Sequence, residues 1–260
     1  MRTHHAIGHR LPRVISIPLF GDRAQFGLDV RSDDPDWQAW QRIFMEFYRH
    51  TQQAGIGARV NDAGYRVLRS VDLHGKTVLE LGPGSVPHMR HWCGVPASYT
   101  AVEQNPEMCA MALRRVQDRG VPAEGLATMP QGDGRRYDVV LTFFSLEHLR
   151  GLEEYLHRFS ELLVDGGLLV GAIPGEGGLA WGLGRWLTSR RYIKQRSGAN
   201  PDKIICWEHP NFADTVLCAL DRRFDPVLVR YWPLRLPLLD LNLVVSFIYR
   251  KRTASQGPTR

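Results

Sequence analysis

A short apolar run that ends in an acid and a Gly-x-Gly turn constrains the fold of this chain more than any other feature. The run reads Thr77-Val-Leu-Glu-Leu-Gly-Pro-Gly-Ser85, and its apolar part predicts a buried strand. Gly82 and Gly84 allow a tight turn in which a ligand can approach the backbone without meeting a Cβ atom. A helix is predicted over residues 86–93, with its free N–H groups directed at a ligand above the turn.

A second strand ending in an acid is predicted at residues 98–103, within Tyr99-Thr-Ala-Val-Glu-Gln-Asn-Pro106. Glu103 follows Gly82 by about 20 residues, the spacing at which an acid at the tip of the second strand can bind ribose hydroxyls. The two segments together predict a βαβ unit that binds a nucleoside. Two ligands fit such a unit, a nicotinamide dinucleotide and S-adenosylmethionine.

The residues after the turn favour S-adenosylmethionine. A dinucleotide site has a third glycine that lets the helix pack close to the first strand, and Pro87 stands at that position. Glu80 would also be unfavourable beside a pyrophosphate, whereas it is compatible with a sulfonium and an amino group.

Two later segments complete a pattern of four motifs. Tyr137-Asp-Val-Val-Leu-Thr-Phe-Phe-Ser-Leu-Glu-His-Leu149 predicts a buried strand and a turn into a helix, and an amphipathic helix follows at residues 152–164. The glycines after it precede an apolar strand at 168–174. The succession VLELGPG, AVEQNP, YDVVLTFFSLEHL and ELLVDGGLLVGAIP resembles the class I S-adenosylmethionine-dependent methyltransferases, and most of all their small-molecule branch. The resemblance covers residues 73–175.

The resemblance implies an α/β fold with a doubly wound, Rossmann-like, mostly parallel seven-stranded sheet and an antiparallel last strand. A chain of 260 residues fits one such domain. Its predicted parts are an N-terminal arm and helical cap, a cofactor-binding core, a lid insertion after strand five, and a closing helix with two strands (1–72, 73–174, 175–210 and 211–252). Cap helices are predicted at 37–53 and 61–70, and further strands at 76–81, 123–127, 225–231 and 243–250.

The resemblance also implies a set of cofactor-binding residues. The turn of Gly82, Pro83 and Gly84 would contact the methionine portion, and Glu80 its amino group; the alternative for Glu80 is that it caps neighbouring backbone N–H groups. Glu103 would bind the ribose. Gln104 would either contact the edge of the adenine ring or remain solvated. These residues define the expected S-adenosyl-L-methionine site.

One departure from the family pattern concerns the adenine. Many relatives carry an acid after strand three, where this chain has Leu126. Leu126 and Ala127 are therefore expected to pack on the adenine ring, with polar contacts from the backbone. Thr142 and Phe143 are expected to line the floor of the pocket beside the methionine portion, with one of the adjacent pair Phe143 and Phe144 facing the ligand.

Two histidines are candidates for the base that accepts a proton from the acceptor. His148 follows strand four at the edge where the acceptor meets the methyl donor in the resembled family, and His209 lies where the lid returns to the sheet. The alternative for His148 is that it orients the loop through a backbone hydrogen bond. No metal site is predicted, since the four cysteines form no Cys-x-x-Cys pair.

The expected acceptor is a small molecule, methylated at an oxygen of a sugar or another metabolite. A quinone-type C-methyltransferase and a cofactor-binding but catalytically silent scaffold are the alternatives. Residues 177–201 contain five cations and no acid, so an anionic or lipid-linked acceptor, an anionic membrane face or plain solvation each fit this segment. Nucleic acid is not expected, because no Asn/Asp-Pro-Pro-aromatic motif follows strand four. The cysteine usage and the absence of a signal-peptide pattern or an 18-residue apolar run predict a cytoplasmic protein without a transmembrane segment.

Overall fold

The fold is built on a central sheet, seen in a computed structural model that describes residues 4–48, 55–132 and 134–252. The strands are β1 (Thr77–Leu81), β2 (Ser98–Val102), β3 (Ala123–Leu126), β4 (Tyr137–Phe143), β5 (Leu163–Pro174), β6 (Phe224–Trp232) and β7 (Val244–Lys251). These described strands form one seven-stranded sheet in the order β3-β2-β1-β4-β5-β7-β6, in which β7 runs antiparallel to both neighbours. The predicted doubly wound sheet with an antiparallel last strand is confirmed.

The position of the site follows from the strand order. The chain leaves β1 toward β2 and β3 on one side and later adds β4 and β5 on the other, so β1 and β4 flank the point where the order reverses. In open parallel sheets, ligands bind beyond the carboxyl ends of the strands at this point. Leu81 pairs with Val102 on one side and with Thr142 on the other. This register brings the ends of β1, β2 and β4 together.

The helices form two layers on the sheet and a wall above its carboxyl edge. They are α1 (Arg13–Phe20), α2 (Arg23–Phe26), α3 (Pro35–Phe47), α4 (Gly55–Tyr65), α5 (Pro106–Gln117), α6 (Leu152–Leu162), α7 (Leu179–Leu187), α8 (Ser189–Ser197), α9 (Pro201–Glu208) and α10 (Ala213–Arg223). Asp34 and Asn105 cap α3 and α5, and a proline follows each cap. Residues 49–53 of the predicted first cap helix lie outside the described residues.

The turn after β1 does not lead into the expected α-helix over 86–93. Val86 has a positive φ of 50°, and Pro87 begins a short 3-10 helix, Pro87–His91. Five residues of 3-10 helix align few peptide dipoles, so the expected attraction from a helix N-terminus is small here. Ligand binding at this turn therefore depends on its glycines and the surrounding side chains.

The boundaries of the helix after β4 differ from the prediction at both ends. His148 ends a 3-10 turn, Leu146–His148, and α6 begins at Leu152, after Gly151 adopts a positive φ of 67°. The helix ends at Leu162, and β5 already begins at Leu163. The side chain of His148 is thus fixed by a tight turn rather than by a long helix.

The segment predicted as a lid after β5 is helical rather than irregular. α7, α8 and α9 occupy most of it, and the last two pack on the cap helix α3 through an apolar cluster of Trp40, Phe47, Ile193, Ala199 and Ile204. Lys203 of α9 lies 2.8 Å from Asp34 Oδ2 and 2.6 Å from Asp36 Oδ2 at the start of α3. The cap and the insertion therefore form one continuous wall.

The cations of this segment are mostly neutralised. Arg185 pairs with Glu176, Arg190 lies 2.5 Å from Asp202, and Arg196 pairs with Glu46. None of the helices in the described ranges has both the length and the apolar character needed to cross a membrane.

Candidate active site

One cavity of about 1730 Å³ lies beyond the carboxyl ends of β1, β2 and β4. Pockets for single ligands measure roughly 300–1,000 Å³, so this cavity has room for two molecules side by side. It brings together most of the residues predicted from sequence: Glu80, Gly82, Pro83, Gly84, Glu103, Gln104, Ala127, Phe143, His148 and His209.

Two predicted cofactor residues lie outside the cavity lining. Leu126 packs against the core beneath the sheet rather than toward the cavity. Thr142 is fully buried in β4, and its hydroxyl has no partner among the described residues. Successive side chains of a strand alternate between its two faces, so Phe143 reaches the cavity while Thr142 does not. Thr128 and Met129 line the side where Leu126 was expected, and both Phe143 and Phe144 line the cavity, where one was expected.

The glycine turn leaves a cradle that side chains would fill. Gly82 and Gly84 have φ values of 65° and 54°, which L side chains rarely adopt. A Cβ on Gly82 would lie 2.6 Å from Ser145 Oγ, and one on Gly84 would lie 2.5 Å from the Tyr48 hydroxyl. Only glycine therefore fits at these two positions, and both glycines line the cavity.

Glu80 is fully buried and held by side chains rather than by backbone N–H groups. The Tyr99 hydroxyl donates to Oε2, and His88 Nε2 lies 2.8 Å from Oε1. Trp92 Nε1 donates to His88 Nδ1 at 3.1 Å, so the His88 proton is on Nε2 and is donated to Glu80. This series of hydrogen bonds fixes the Glu80 carboxylate at the cavity floor, where its negative charge can attract an ammonium group.

Glu103 stands directly after β2, half-buried at the cavity edge. Its Oε1 accepts a hydrogen bond from the backbone N–H of Asn105 at 2.9 Å. Burial raises the pKa of Glu103, while backbone N–H groups, including that of Gly84, partly offset this shift. Because a carboxylate has about four acceptor sites, capacity remains beside these N–H groups for hydroxyl donors such as those of a ribose.

The two candidate histidines meet at the opposite end of the cavity. Their ring centroids are 4.6 Å apart. His148 Nδ1 lies 2.5 Å from the carbonyl oxygen of Glu208 and so donates to it, which leaves the Nε2 lone pair of an exposed ring available. His209 Nδ1 lies 2.8 Å from Glu176 Oε2. The sequence placed both histidines at the rim, and the fold brings them into contact.

A buried ion pair controls the chemistry of His209. The carboxylate of Glu176 is fully buried and accepts from the Arg185 guanidinium and from Trp181 Nε1 at 2.9 Å. Burial alone would disfavour its charge, but Arg185 and His209 hold the pKa of Glu176 well below its usual range. Burial, together with the adjacent Arg185, lowers the pKa of His209 to about 3. His209 is therefore a neutral ring and a weak base.

Glu147 is a site residue that the sequence analysis missed. It lines the cavity at 2% exposure, and its Oε2 has no partner among the described residues. Burial raises the pKa of Glu147 to about 7, and the nearby His148, whose Nε2 lies 3.8 Å from Oε1, offsets only part of that shift. The sequence signal for this residue was an acid within the short run Leu146-Glu-His-Leu149, directly after a buried strand. A carboxylate is rarely buried without a role.

An aromatic wall is the other feature that sequence patterns did not assign to the site. Trp40, Phe44, Phe47 and Tyr48 of the α3 segment line the cavity, and Trp40 Nε1 donates to Glu208 Oε1 at 2.8 Å. The helical spacing of the apolar residues predicted a cap helix. It did not predict that the apolar side of this helix would line the cavity.

One group in the described part of the chain offers metal-ligand atoms. His148, Glu208 and His209 each present an atom within 4.8 Å of the others. Arg185 Nη2 lies 3.1 Å from His209 Nδ1 and places a positive charge beside this group. That charge opposes a second cation, and the expectation of no metal stays a prediction.

Comparison with known proteins agrees with this geometry. A family model described as a methyltransferase domain matches residues 37–223. The fold is similar to that of the N-methyltransferase NodS from Bradyrhizobium japonicum WM9 in complex with S-adenosyl-L-homocysteine, at 16% identity and a TM-score of 0.57, over 85% of this chain and 100% of that chain. It is also similar to an S-adenosylmethionine-dependent methyltransferase from Mesorhizobium loti (16%, TM-score 0.51, 73% and 98%) and to the CurJ carbon methyltransferase (17%, 0.56, 85% and 61%). No curated protein matches this chain in sequence.

Replacing Glu103 with alanine is expected to weaken the binding of S-adenosylhomocysteine by roughly 1.5–3 kcal/mol, since charge-assisted hydrogen bonds to the ribose are lost. Isothermal titration calorimetry on the folded variant measures this change. Glu107→Ala, an exposed acid four residues along the chain, is the control and should leave the affinity unchanged. Equal affinities for Glu103→Ala and the wild type would remove Glu103 from the site.

The buried Glu147 carboxylate predicts a distinct pH dependence of stability. Its folded pKa of about 7 lies above its ordinary value of 4.5, so the cost of burying the charge is present above pH 7 and vanishes below about pH 4.5. From pH 4 to pH 8, the free energy of unfolding of Glu147→Gln should therefore rise by roughly 2–4 kcal/mol relative to the wild type. Urea denaturation at both pH values measures it, with the exposed Glu154→Gln as a control that should show no such rise. A constant difference between variant and wild type would mean that Glu147 is not buried as a carboxylate.

Proposed function

This chain belongs to the methyltransferase-domain family, and we propose that it methylates an oxygen of a small-molecule acceptor, such as a sugar or another metabolite. Methyl transfer from S-adenosylmethionine follows from the family, while the acceptor and the atom methylated are the proposed part. The observation that carries the proposal is that the glycine turn, Glu103 and the histidine pair share one cavity with room for two molecules.

The cofactor end of the cavity is assigned to the glycine turn and two acids. Gly82, Pro83 and Gly84 would contact the methionine portion, Glu80 would attract its ammonium group, and Glu103 would accept from the ribose hydroxyls. The cofactor supplies a methyl group already activated by a sulfonium. The protein then has to hold the acceptor in line and exclude water.

The acceptor end supports oxygen methylation, because a hydroxyl must lose its proton during or just after transfer. His148 is the better base of the two histidines. Its Nε2 lone pair is free, whereas His209 is locked to Glu176 and its pKa is lowered to about 3 by burial and by Arg185. Glu147, with Oε1 3.8 Å from His148 Nε2, would stabilise the imidazolium that forms.

The lining also limits the kind of acceptor. The aromatic wall of Trp40, Phe44, Phe47 and Tyr48 favours an acceptor with an apolar face. At this end, the positive charge of Arg185 is compensated by Glu176, and Arg150 donates to the backbone carbonyls of Leu28 and Trp207. An apolar or lipid-linked hydroxyl compound therefore fits the cavity better than a strongly anionic one.

Incubation with methyl-¹³C S-adenosylmethionine and a panel of hydroxylated acceptors tests the proposed function. A product whose labelled carbon is bonded to oxygen supports O-methylation, and a methyl on a ring carbon would favour the quinone-type alternative instead. With either result, S-adenosylhomocysteine at 100 times its dissociation constant should stabilise the protein by about 2.7 kcal/mol, which raises its melting temperature. NAD should not raise the melting temperature. Cofactor binding without any turnover would favour the scaffold.

His148→Gln is expected to keep the affinity for S-adenosylhomocysteine and to lower turnover by roughly 10²–10⁴, the usual contribution of general base catalysis. His157→Gln, on the exposed face of α6, is the matched control. Turnover and calorimetry are measured on both variants. A comparable loss of cofactor affinity would make His148 structural, and full activity would leave His209 or water as the base.

A further inference from the structure

An exposed apolar face lies on the outer side of the insertion, away from the cavity. Of the fourteen large apolar residues that are exposed in the described part of the chain, ten belong to the N-terminal arm, α1, α7 and the loop between β6 and β7. Their exposures range from 39% to 81%. We call this set the apolar face: Ile7, Val14, Ile15, Leu183, Trp186, Leu187, Leu234, Leu236, Leu238 and Leu241.

The four elements that carry the apolar face are packed together. Asp240 joins three of them, since its carboxylate accepts from the backbone N–H groups of Ile7 at 2.9 Å, Gly8 at 2.8 Å and Leu179 at 3.2 Å. α1 lies so close to α7 that a Cβ on Gly182 would come within 2.7 Å of the Phe20 ring. The ten exposed side chains thus stand on segments that pack on one another, and a concentration of exposed apolar residues of this kind is typical of an interaction site.

The leucines of the loop are held outward by a dedicated residue. Asn242 is fully buried and binds the backbone three times: its Oδ1 accepts from Leu234 N at 2.9 Å, and its Nδ2 donates to the carbonyls of Leu236 at 2.9 Å and Leu238 at 2.7 Å. These bonds occupy three backbone groups of the loop, yet Leu234, Leu236 and Leu238 are each about half exposed. Each backbone group that is already bonded lowers the cost of bringing the loop into an apolar medium.

The charges beside the apolar face are positive. Arg235 lies between two of the exposed leucines, Arg191 packs over the Trp186 ring with 5.3 Å to its centroid, and Lys194 is exposed one turn further along α8. Among the described residues, none of these three cations forms an ion pair. Asp240, the acid in this loop, is occupied by backbone N–H groups.

We propose that the apolar face docks on an anionic membrane surface. Aromatic and leucine side chains flanked by unpaired cations match the apolar boundary and the negative headgroups of such a surface. A second copy of this chain fits less well, because a two-fold interface buries the same patch on both sides, and Asp240, the acid of the loop, is already occupied by backbone N–H groups and is not free to pair with these cations. α7 connects the face to the cavity, since Trp181 and Arg185 line the cavity while Leu183 and Trp186 point outward. An acceptor carried in the bilayer would therefore reach the cavity along α7.

Flotation with large unilamellar vesicles tests the proposal without any enzymatic readout. The wild-type protein is expected to float with vesicles of phosphatidylcholine and phosphatidylglycerol, and less with phosphatidylcholine alone. Leu234→Ser/Leu236→Ser should lower the partition coefficient at least about tenfold through lost apolar burial. Lys194→Glu should lower it by about fivefold or more and abolish the preference for anionic vesicles.

Val95→Ser/Val227→Ser is the matched control, because both valines are about half exposed and lie outside the apolar face. It should bind vesicles as the wild type does, and all variants should keep the wild-type affinity for S-adenosylhomocysteine. Equal binding of the wild type and the leucine double variant would overturn the proposal. So would a wild-type dimer that becomes monomeric in the double variant in analytical ultracentrifugation, since a second copy would then cover the face.

Discussion

The buried pair of Glu176 and Arg185 is the interaction on which the site depends. Glu176 lies two residues after the end of β5, and Arg185 lies on α7, so this buried pair connects the end of the sheet to the insertion. Removing either partner would leave an uncompensated buried charge, which is strongly destabilising. The same carboxylate accepts a hydrogen bond from Trp181 and lies within hydrogen-bond distance of His209, so the position of the pair also sets the position of that ring.

Three carboxylates around the histidines give this end of the cavity its electrostatic character. Glu176 is compensated by Arg185, Glu208 accepts from Trp40, and Glu147 has no donor for its Oε2 among the described residues. Glu176 and Glu147 therefore differ in how readily they ionise: Arg185 lowers the pKa of Glu176, whereas burial raises the pKa of Glu147. Such divergence of neighbouring titratable groups is typical of sites that move protons.

The fold could be predicted from the sequence because its signals are local. The apolar runs of β1, β2, β4 and β5 and the glycines after β1 specify their own conformation, and the register of parallel strands then collects Glu80, Gly82, Gly84 and Glu103 at one edge. The insertion could not be predicted in the same way. Its helices are set by long-range partners, such as Lys203 with Asp34, which no local pattern reveals. Leu126 and Thr142 lie outside the cavity lining, which the sequence did not indicate because a position at a strand end does not say which face its side chain takes. Glu147 was overlooked because its importance lies in burial.

The joint wall of cap and insertion limits how the cavity can open. Lys203 bonds α9 to the start of α3, Arg196 of α8 pairs with Glu46 of α3, and the cluster around Trp40 and Ile204 fills the space between them. Moving α8 or α9 away from α3 would break the ion pairs of Lys203 and Arg196 and expose this apolar cluster to water. The cost of separating these helices therefore favours a wall that stays in one piece around whatever molecule the cavity holds.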